Sequence, residues 1–472
     1  MDKAREIALK TLYKIDQNQA YSNLILSEQI NKNRKNLNNI DIGFISEIVY
    51  GVTTWRLTLD EIIKKYSNIK LKKISPWILN ILRMGIYQKI FLSKVPESAA
   101  VNESVNLSKR YGHKASSNFV NAVLRKVDRQ DYEDFSLIKD QKQKISYTTS
   151  MPIWLVEELK KGRSWEEVEK ICQNLIEKTK VTVRVNKLKI TKEELKTELQ
   201  RGEIKCSEIL PNNAENTKNI PNTPNIQKIP DTQNIKKTEN YQISNNDNFL
   251  ILENAKNIEK SEVFQKGYFT VQDLSAGLAA WCLHPQKGEK VLDACSAPGG
   301  KTTYLAELME NEGEIEAWDI HEHRTKLVDE NAKRLGITII RTAQKDATQA
   351  ITENKKFDKI LLDVPCLGIG VIKRKPDIKW QRKPEDIEEI TKIQEQILEN
   401  VSKCLKDGGV LVYSTCSILK QENEEIITKF LQKHKEFCLK KIEEISEKNN
   451  GMLSILPDDL RDGFFIAKLQ KN

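Results

Sequence analysis

Two cysteines each follow a short apolar run and stand in a turn-forming stretch. Cys366 lies in Asp363-Val-Pro-Cys-Leu-Gly-Ile-Gly370, and Cys416 in Tyr413-Ser-Thr-Cys-Ser417, fifty residues further on. A cysteine is a soft, strong nucleophile once a nearby positive group or dipole favours its thiolate. Methylation of carbon 5 of a pyrimidine demands such a nucleophile, because that carbon is unreactive by itself. Addition of sulfur at C6 makes C5 an enamine-like carbon able to take a methyl group from a sulfonium. A base must afterwards remove the C5 proton so that the sulfur can leave. Cys366, Cys416 and the carboxylate of Asp363 supply those parts if they meet over one cofactor site. Position alone does not say which cysteine attacks. Cys172, Cys206, Cys282, Cys404 and Cys438 read as small buried hydrophobes, and Cys295 as a wall of the cofactor pocket that does not react.

The elements that would bring these groups together centre on Glu289-Lys-Val-Leu-Asp-Ala-Cys-Ser-Ala-Pro-Gly-Gly-Lys-Thr-Thr303. A buried strand, Val291-Leu292, breaks into a small-residue turn and enters a helix near Thr302. Pro298 and the Gly299-Gly300 pair let the backbone turn tightly and approach a ligand. The helix N-terminus behind them offers free N–H groups. Two cofactors compete for this unit. Cys295 to Thr302 is one residue short of a P-loop, with Cys295 where the first Gly should stand and Asp363 as a Mg²⁺ carboxylate. An adenosyl-methionine site instead asks for an acid at the end of the next strand, by analogy with dinucleotide folds. Asp319 closes Ile315-Glu316-Ala317-Trp318 at that place. The P-loop has no use for Asp319 or for the cysteines, so adenosyl-methionine is favoured. Strands are expected at 291–294, 314–318, 337–341, 358–363 and 409–414, with a final pair at 453–456 and 464–468. That alternation predicts a doubly wound α/β domain with ligands at the carboxyl ends of the strands.

The 472 residues exceed what one core accommodates. Apolar stripes at helical spacing, such as Ile7, Ala8, Leu12 and Ile15, or Ile78, Leu79, Leu82 and Ile86, predict an all-α domain over 1–140. A small α/β subdomain is expected over 141–210, with a strand at 181–185. Residues 211–248 turn to Asn, Lys, Thr, Ile and Pro and are expected as a disordered insertion. The doubly wound domain takes 249–472. Of the net charge of +9, residues 1–140 hold 23 Lys and Arg against 15 Asp and Glu. A basic helical domain on a near-neutral body suggests a grip on a polyanion. Lys373, Arg374, Lys375, Lys379, Trp380 and Arg382 add a basic stretch with an aromatic, a candidate strand clamp. A third reading, a non-enzymatic RNA assembly factor, leaves Cys366 and Cys416 without a use. No apolar run reaches the length of a membrane span, and the start lacks an apolar export signal. No C-x-x-C pair marks a zinc site or a disulfide framework, which fits a reducing cytoplasm.

Five ordered motifs carry a family resemblance. They are Asp293-Ala-Cys-Ser-Ala-Pro-Gly-Gly-Lys-Thr302, the Asp363–Gly370 motif, Lys375-Pro-Asp-Ile-Lys-Trp380, Gly408-Gly-Val-Leu-Val-Tyr-Ser-Thr-Cys-Ser417 and Glu422-Asn-Glu424. Together they resemble the RsmB/NOP-type RNA cytosine-5 methyltransferases. The helical part, with Ser46-Glu-Ile-Val-Tyr-Gly51, Val101-Asn-Glu-Ser104 and Asn118-Phe-Val-Asn-Ala-Val-Leu-Arg125, is similar to the NusB-like domain of the bacterial 16S rRNA members. Ser296, Val364 and Leu367 depart from the residues more usual there. The resemblance implies S-adenosyl-L-methionine wrapped by Cys295, Ser296, Ala297, Pro298, Gly299, Gly300 and Lys301. Asp319 would bind its ribose, Asp346 would sit by its adenine, and Asp363 would touch both cofactor and cytosine. Cys416 would be the nucleophile and Cys366 would assist release. The substrate implied is 16S rRNA, naked or in an early small-subunit particle, with no metal or membrane partner, for a monomer in the cytoplasm.

Overall fold

The computed structural model describes residues 2–18, 21–209, 248–253, 258–351, 356–442 and 449–472. The expected insertion at 211–248 lies, but for Asn248, outside the described residues.

The N-terminal part is helical throughout, led by α1 (Lys3–Asn18), α2 (Ser22–Asn33), α3 (Asn39–Thr54), α4 (Arg56–Tyr66), α5 (Pro76–Phe91), α6 (Glu97–Tyr111) and α7 (Lys114–Lys126). Local chemistry sets the ends. Asn38 and Asp41 form a reciprocal capping box on α3, Pro76 opens α5, and Gly112 follows α6. The stripes read from the sequence converge on one core, with Ala8, Ile45, Ile48, Leu59, Ile81, Leu82 and Leu124 fully buried.

A small antiparallel sheet follows, in the order β2-β3-β1-β4. Its strands are β1 (Val181–Val185), β2 (Lys205–Glu208), β3 (Phe249–Glu253) and β4 (Phe269–Val271). Only β1 was expected. β2 and β3 are direct neighbours, with Glu208 opposite Leu250. This sheet therefore draws on chain from both sides of position 249.

The large sheet holds β5 (Lys290–Asp293), β6 (Glu314–Asp319), β7 (Ile340–Gln344), β8 (Phe357–Asp363), β9 (Leu405–Thr415), β10 (Phe437–Leu439), β11 (Met452–Ile455) and β12 (Phe464–Lys471). Its order is β10-β12-β9-β8-β5-β6-β7, with β11 on β12. β5 to β9 run parallel, and β12 returns antiparallel to β9. Their centres, Val291-Leu292, Ile360-Leu361-Leu362 and Leu411-Val412-Tyr413, are fully buried, as strands covered on both faces must be. The chain winds from β5 outward to β7, then crosses back to β8 and β9. The crevice of a doubly wound sheet falls where that order reverses, at the carboxyl ends of β5 and β8. β7 starts three residues later than expected because Gly336, at φ +77°, ends the helix Glu322–Leu335 and Ile337 still bonds back to Ala332.

Candidate active site

Three strand ends meet at the crevice. After β5 the chain turns through 294–299 into the helix Gly300–Leu308. Gly299 sits at φ +100°, and a Cβ there would lie 3.1 Å from Val328 Cα, so backbone conformation and space both require glycine. Ser296 ties the turn to the end of β6: its N–H and its hydroxyl donate to Trp318 O at 2.8 and 2.9 Å. Ala297 O accepts from Arg324, and Pro298 O from Asn331. From the small sheet, fully buried Arg184 donates to Gly300 O at 2.8 Å and pairs with Glu307 at 2.7 Å. The first turn of the helix is thus held from outside.

Sequence reasoning passed over one residue, Asp293, the last of β5. It is buried, Oδ2 accepts from Thr302 Oγ1 at 2.7 Å, and Oδ1 has no hydrogen-bond partner among the described residues. Burial pushes its carboxyl up to about 7 against the Thr302 hydrogen bond, and Asp363 adds to the rise. Its place in the Asp293–Thr302 motif was the available signal. Cys295 faces Asp293, Asp363 and Asp319, and burial together with these carboxylates pushes its thiol well up. It stays a thiol, in keeping with a pocket wall.

Asp319, at the end of β6, is buried, accepts from His321 N–H at 3.0 Å and lies 3.4 Å from Arg324. Asp346 turns inward on its own loop. The Thr348 hydroxyl and N–H donate to it at 2.7 and 2.9 Å and hold its carboxyl below the usual range.

The two cysteines do meet. β8 and β9 are parallel neighbours with Asp363 opposite Ser414, so the residues just past each strand emerge side by side. Cys366 Sγ and Cys416 Sγ are 3.2 Å apart. Asp363 accepts from Ser414 Oγ at 2.9 Å and from Lys301 Nζ at 2.7 Å. Burial would lower the Lys301 pKa, but Asp363 and Cys416 outweigh it and the ammonium is held charged. The hydrogen bond to Cys416, burial, and the carboxylates of Glu422 and Asp363 push the Cys366 thiol well up. Gly370 N–H donates to Cys416 O at 2.9 Å, and a Cβ at Gly370 would lie 2.0 Å from Gly463 O, so the two loops touch backbone to backbone.

The basic stretch is not a strand clamp. Lys373 is bound to the carbonyls of Asp458 and Arg461, and Arg374 to Asp462 and Asp273. Lys379 is buried, with Nζ donating to Thr54 O at 2.6 Å and Ser150 O at 3.0 Å. Trp380 Nε1 donates to Thr53 O at 2.7 Å, and Asp377 accepts from both the N–H and the hydroxyl of Ser22. Arg382 reaches Leu367 O at 3.4 Å. Only Lys375 is exposed. The segment is the joint between the doubly wound domain and the helices. The expectation for the remaining cysteines also divides: Cys172, Cys282 and Cys404 are buried, Cys206 is half-buried and Cys438 is exposed on the short β10.

Residues 280–470 match the 16S rRNA methyltransferase RsmB/F family, residues 2–129 the NusB family, and residues 151–212 the ferredoxin-like domain of RsmF/B-like methyltransferases. The Bacillus subtilis protein named "Probable ribosomal RNA small subunit methyltransferase B" is 37% identical over 482 residues, which cover 99% of this chain and 98% of that protein. The chain belongs to the 16S rRNA methyltransferase RsmB/F family. The Photorhabdus laumondii ribosomal RNA small subunit methyltransferase B is 33% identical, across 99% of this chain and 98% of its own. Among solved structures, PH0851 superposes with a TM-score of 0.77 at 26% identity, covering 100% of this chain and 99% of its own. NSun6 from Pyrococcus horikoshii, solved with SFG, gives 0.55 at 28% identity, covering 68% of this chain and 98% of its own. A family methyltransferase takes its methyl group from S-adenosyl-methionine, and this crevice fits that cofactor. The orphaned Asp293 oxygen, the first turn of the Gly300 helix, which carries no side-chain cap at Gly299, and buried Asp319 offer acceptors and donors where a zwitterionic nucleoside needs them. No group of three metal-ligating side chains occurs among the described residues. No helix there is long and apolar enough to cross a membrane.

Proposed function

We propose that the chain methylates carbon 5 of a cytosine in 16S rRNA, of the type that modifies cytosine 967, through a covalent bond between Cys416 and C6. The observation that carries this reading is the approach of two cysteines from separate motifs to 3.2 Å beside the Lys301–Asp363 pair. Cys416 is the nucleophile, as the family resemblance implies, and the Lys301 ammonium lies near enough to favour its thiolate. Its sulfur adds to C6, while Asp363 hydrogen-bonds the cytosine and helps protonate its ring. When bound, S-adenosyl-methionine supplies an electrophilic methyl group on a sulfonium. Once C5 is methylated, a base takes its proton, the C5–C6 double bond re-forms and the carbon–sulfur bond breaks. Cys366, with its sulfur 3.2 Å from that of Cys416, assists the departure of the thiolate. Cys295 to Lys301 wrap the cofactor, Asp319 binds its ribose and Asp346 lies towards its adenine.

The target cytosine must leave its stack to reach Cys416, so a loop or opened helix of rRNA is the substrate. The basic helical domain over 1–140 grips that RNA, and the exposed Lys109, Lys114 and Arg125 on α6 and α7 are where it does so. The protein works as a cytoplasmic monomer. Bisulfite mapping of 16S rRNA from cells with and without this protein tests the reading. A cytosine protected only in its presence is expected, and an unchanged map would overturn it.

A further inference from the structure

We propose that Glu422 is a positioning residue that locks the Cys366 loop against the Cys416 loop and so sets the distance between the two sulfurs. The inference rests on the two-cysteine reading above. Glu422 is fully buried, and its carboxylate bonds are to residues beside the cysteines, not to their sulfurs. It touches their neighbours. Oε2 accepts from Leu367 N–H at 2.9 Å, the residue after Cys366, and Oε1 accepts from the hydroxyl of Ser417, the residue after Cys416. Gln394, from the helix Asp386–Val401, donates from Nε2 to Glu422 Oε2 at 3.1 Å and to Pro365 O at 2.9 Å, the residue before Cys366. Asn423 closes the remaining flank. Its Oδ1 accepts from Thr415 Oγ1 at 2.6 Å, and its Nδ2 donates to Ser417 O at 3.0 Å.

All four residues flanking the cysteines are therefore tied to one buried cluster, and Glu422 is its only member bonded to both loops. An amide N–H, a hydroxyl and a side-chain amide all point at this carboxylate, and a carboxylate is an acceptor at both oxygens. Charge-assisted bonds of this kind are shorter and stronger than neutral ones. An apolar side chain would leave buried donors without acceptors on both loops. A glutamine can turn its NH₂ to Ser417, whose hydroxyl is able to accept, and keep its oxygen on Leu367. It retains the link and gives up the charge.

The test uses the full chain with S-adenosyl-methionine and 16S rRNA, and compares Glu422→Leu, Glu422→Gln and Gln394→Leu with the parent. Single-turnover methylation is one readout. The other is the rate at which diamide converts the Cys366–Cys416 pair to a disulfide: the two S–H bonds break, the S–S bond forms, and diamide takes up the two electrons and two protons. Glu422→Leu should lower the methylation rate by about 10- to 100-fold, the scale expected when reacting groups are misplaced by an ångström. Its cofactor affinity should hold and its disulfide formation should slow. Glu422→Gln should recover most of both rates. If Glu422→Leu does not fold, Gln394→Leu, which leaves the carboxylate in place, should show the same paired loss at smaller size. Unchanged methylation and disulfide rates in the folded variants would overturn the proposal. Failure of the two-cysteine reading shows elsewhere, as a protein–RNA adduct that persists in Cys416→Ala with Glu422 intact.

Discussion

The segment from Cys366 to Lys383 has two halves that place their polar groups in opposite ways. In the first, Cys366 leaves its sulfur open to a second sulfur 3.2 Å away, and backbone and buried side chains do the holding. In the second, Lys373, Arg374, Lys379 and Trp380 direct their donors into carbonyls and carboxylates of the protein itself. Both halves look functional in sequence, the first by motif and the second by charge. Reactive groups are recognised by what they require around them. Charges are not, because a lysine satisfied by two carbonyls and a lysine waiting for a phosphate are the same letter.

The comparison breaks first, and with the largest effect, at the cysteines. Cys416→Ala should abolish both methylation and any covalent RNA adduct. Cys366→Ala should still add and accept methyl, then stall, giving a protein–RNA band that survives a denaturing gel. The reverse pattern would make Cys366 the nucleophile.

At the joint the effect should fall on stability instead. Lys379→Ala removes a fully packed side chain and strands Thr54 O and Ser150 O, costing about 2–5 kcal/mol in urea unfolding. Burial lowers the Lys379 pKa to about 7 from 10.5. Between those values the unfolded chain holds this proton and the folded chain does not. Stability from this residue should therefore rise with pH across that window, by up to about 1.4 kcal/mol per pH unit, and be flat below it. A parent-minus-mutant difference that falls from pH 7 to pH 9 would contradict a buried neutral lysine.

Asp319→Ala should weaken S-adenosyl-methionine by about 1.5–3 kcal/mol, the value of charged hydrogen bonds. Calorimetry with equal affinity in the two proteins would remove Asp319 from the site. The smallest effect sharpens the comparison from the other side. Alanine at exposed Lys109, Lys114 or Arg125 should each flatten the salt dependence of RNA binding by about 0.7–0.9 in log–log slope. Alanine at Arg374, which faces Asp462 and Asp273, should leave that slope unchanged.

What could be read in advance follows the same division. The central parallel strands β5, β8 and β9 were legible because each holds an apolar run, and the cofactor turn because Gly299 has no substitute at its conformation. β3 and β4 were not, since their partner β1 lies far back in the chain and nothing local marks the pairing. Asp293 was hidden in plain sight: as the last residue of a buried strand it looks like a strand terminator, and only its unpartnered oxygen sets it apart. Cys438 was misjudged because β10 is three residues long, too short for alternation to show which side faces out.

Antiparallel neighbours β2 and β3 flank the Asn-rich stretch, with Glu208 opposite Leu250. Whatever chain joins them must leave and re-enter the fold at adjacent rungs of one ladder. The cost of closing such a loop grows only with the logarithm of its length, about 0.6 kcal/mol for each doubling. A change in the length of the joining chain therefore meets this ladder first, on a different sheet from the one that carries the cysteines. The small sheet is a tolerant port in a protein whose chemistry tolerates little.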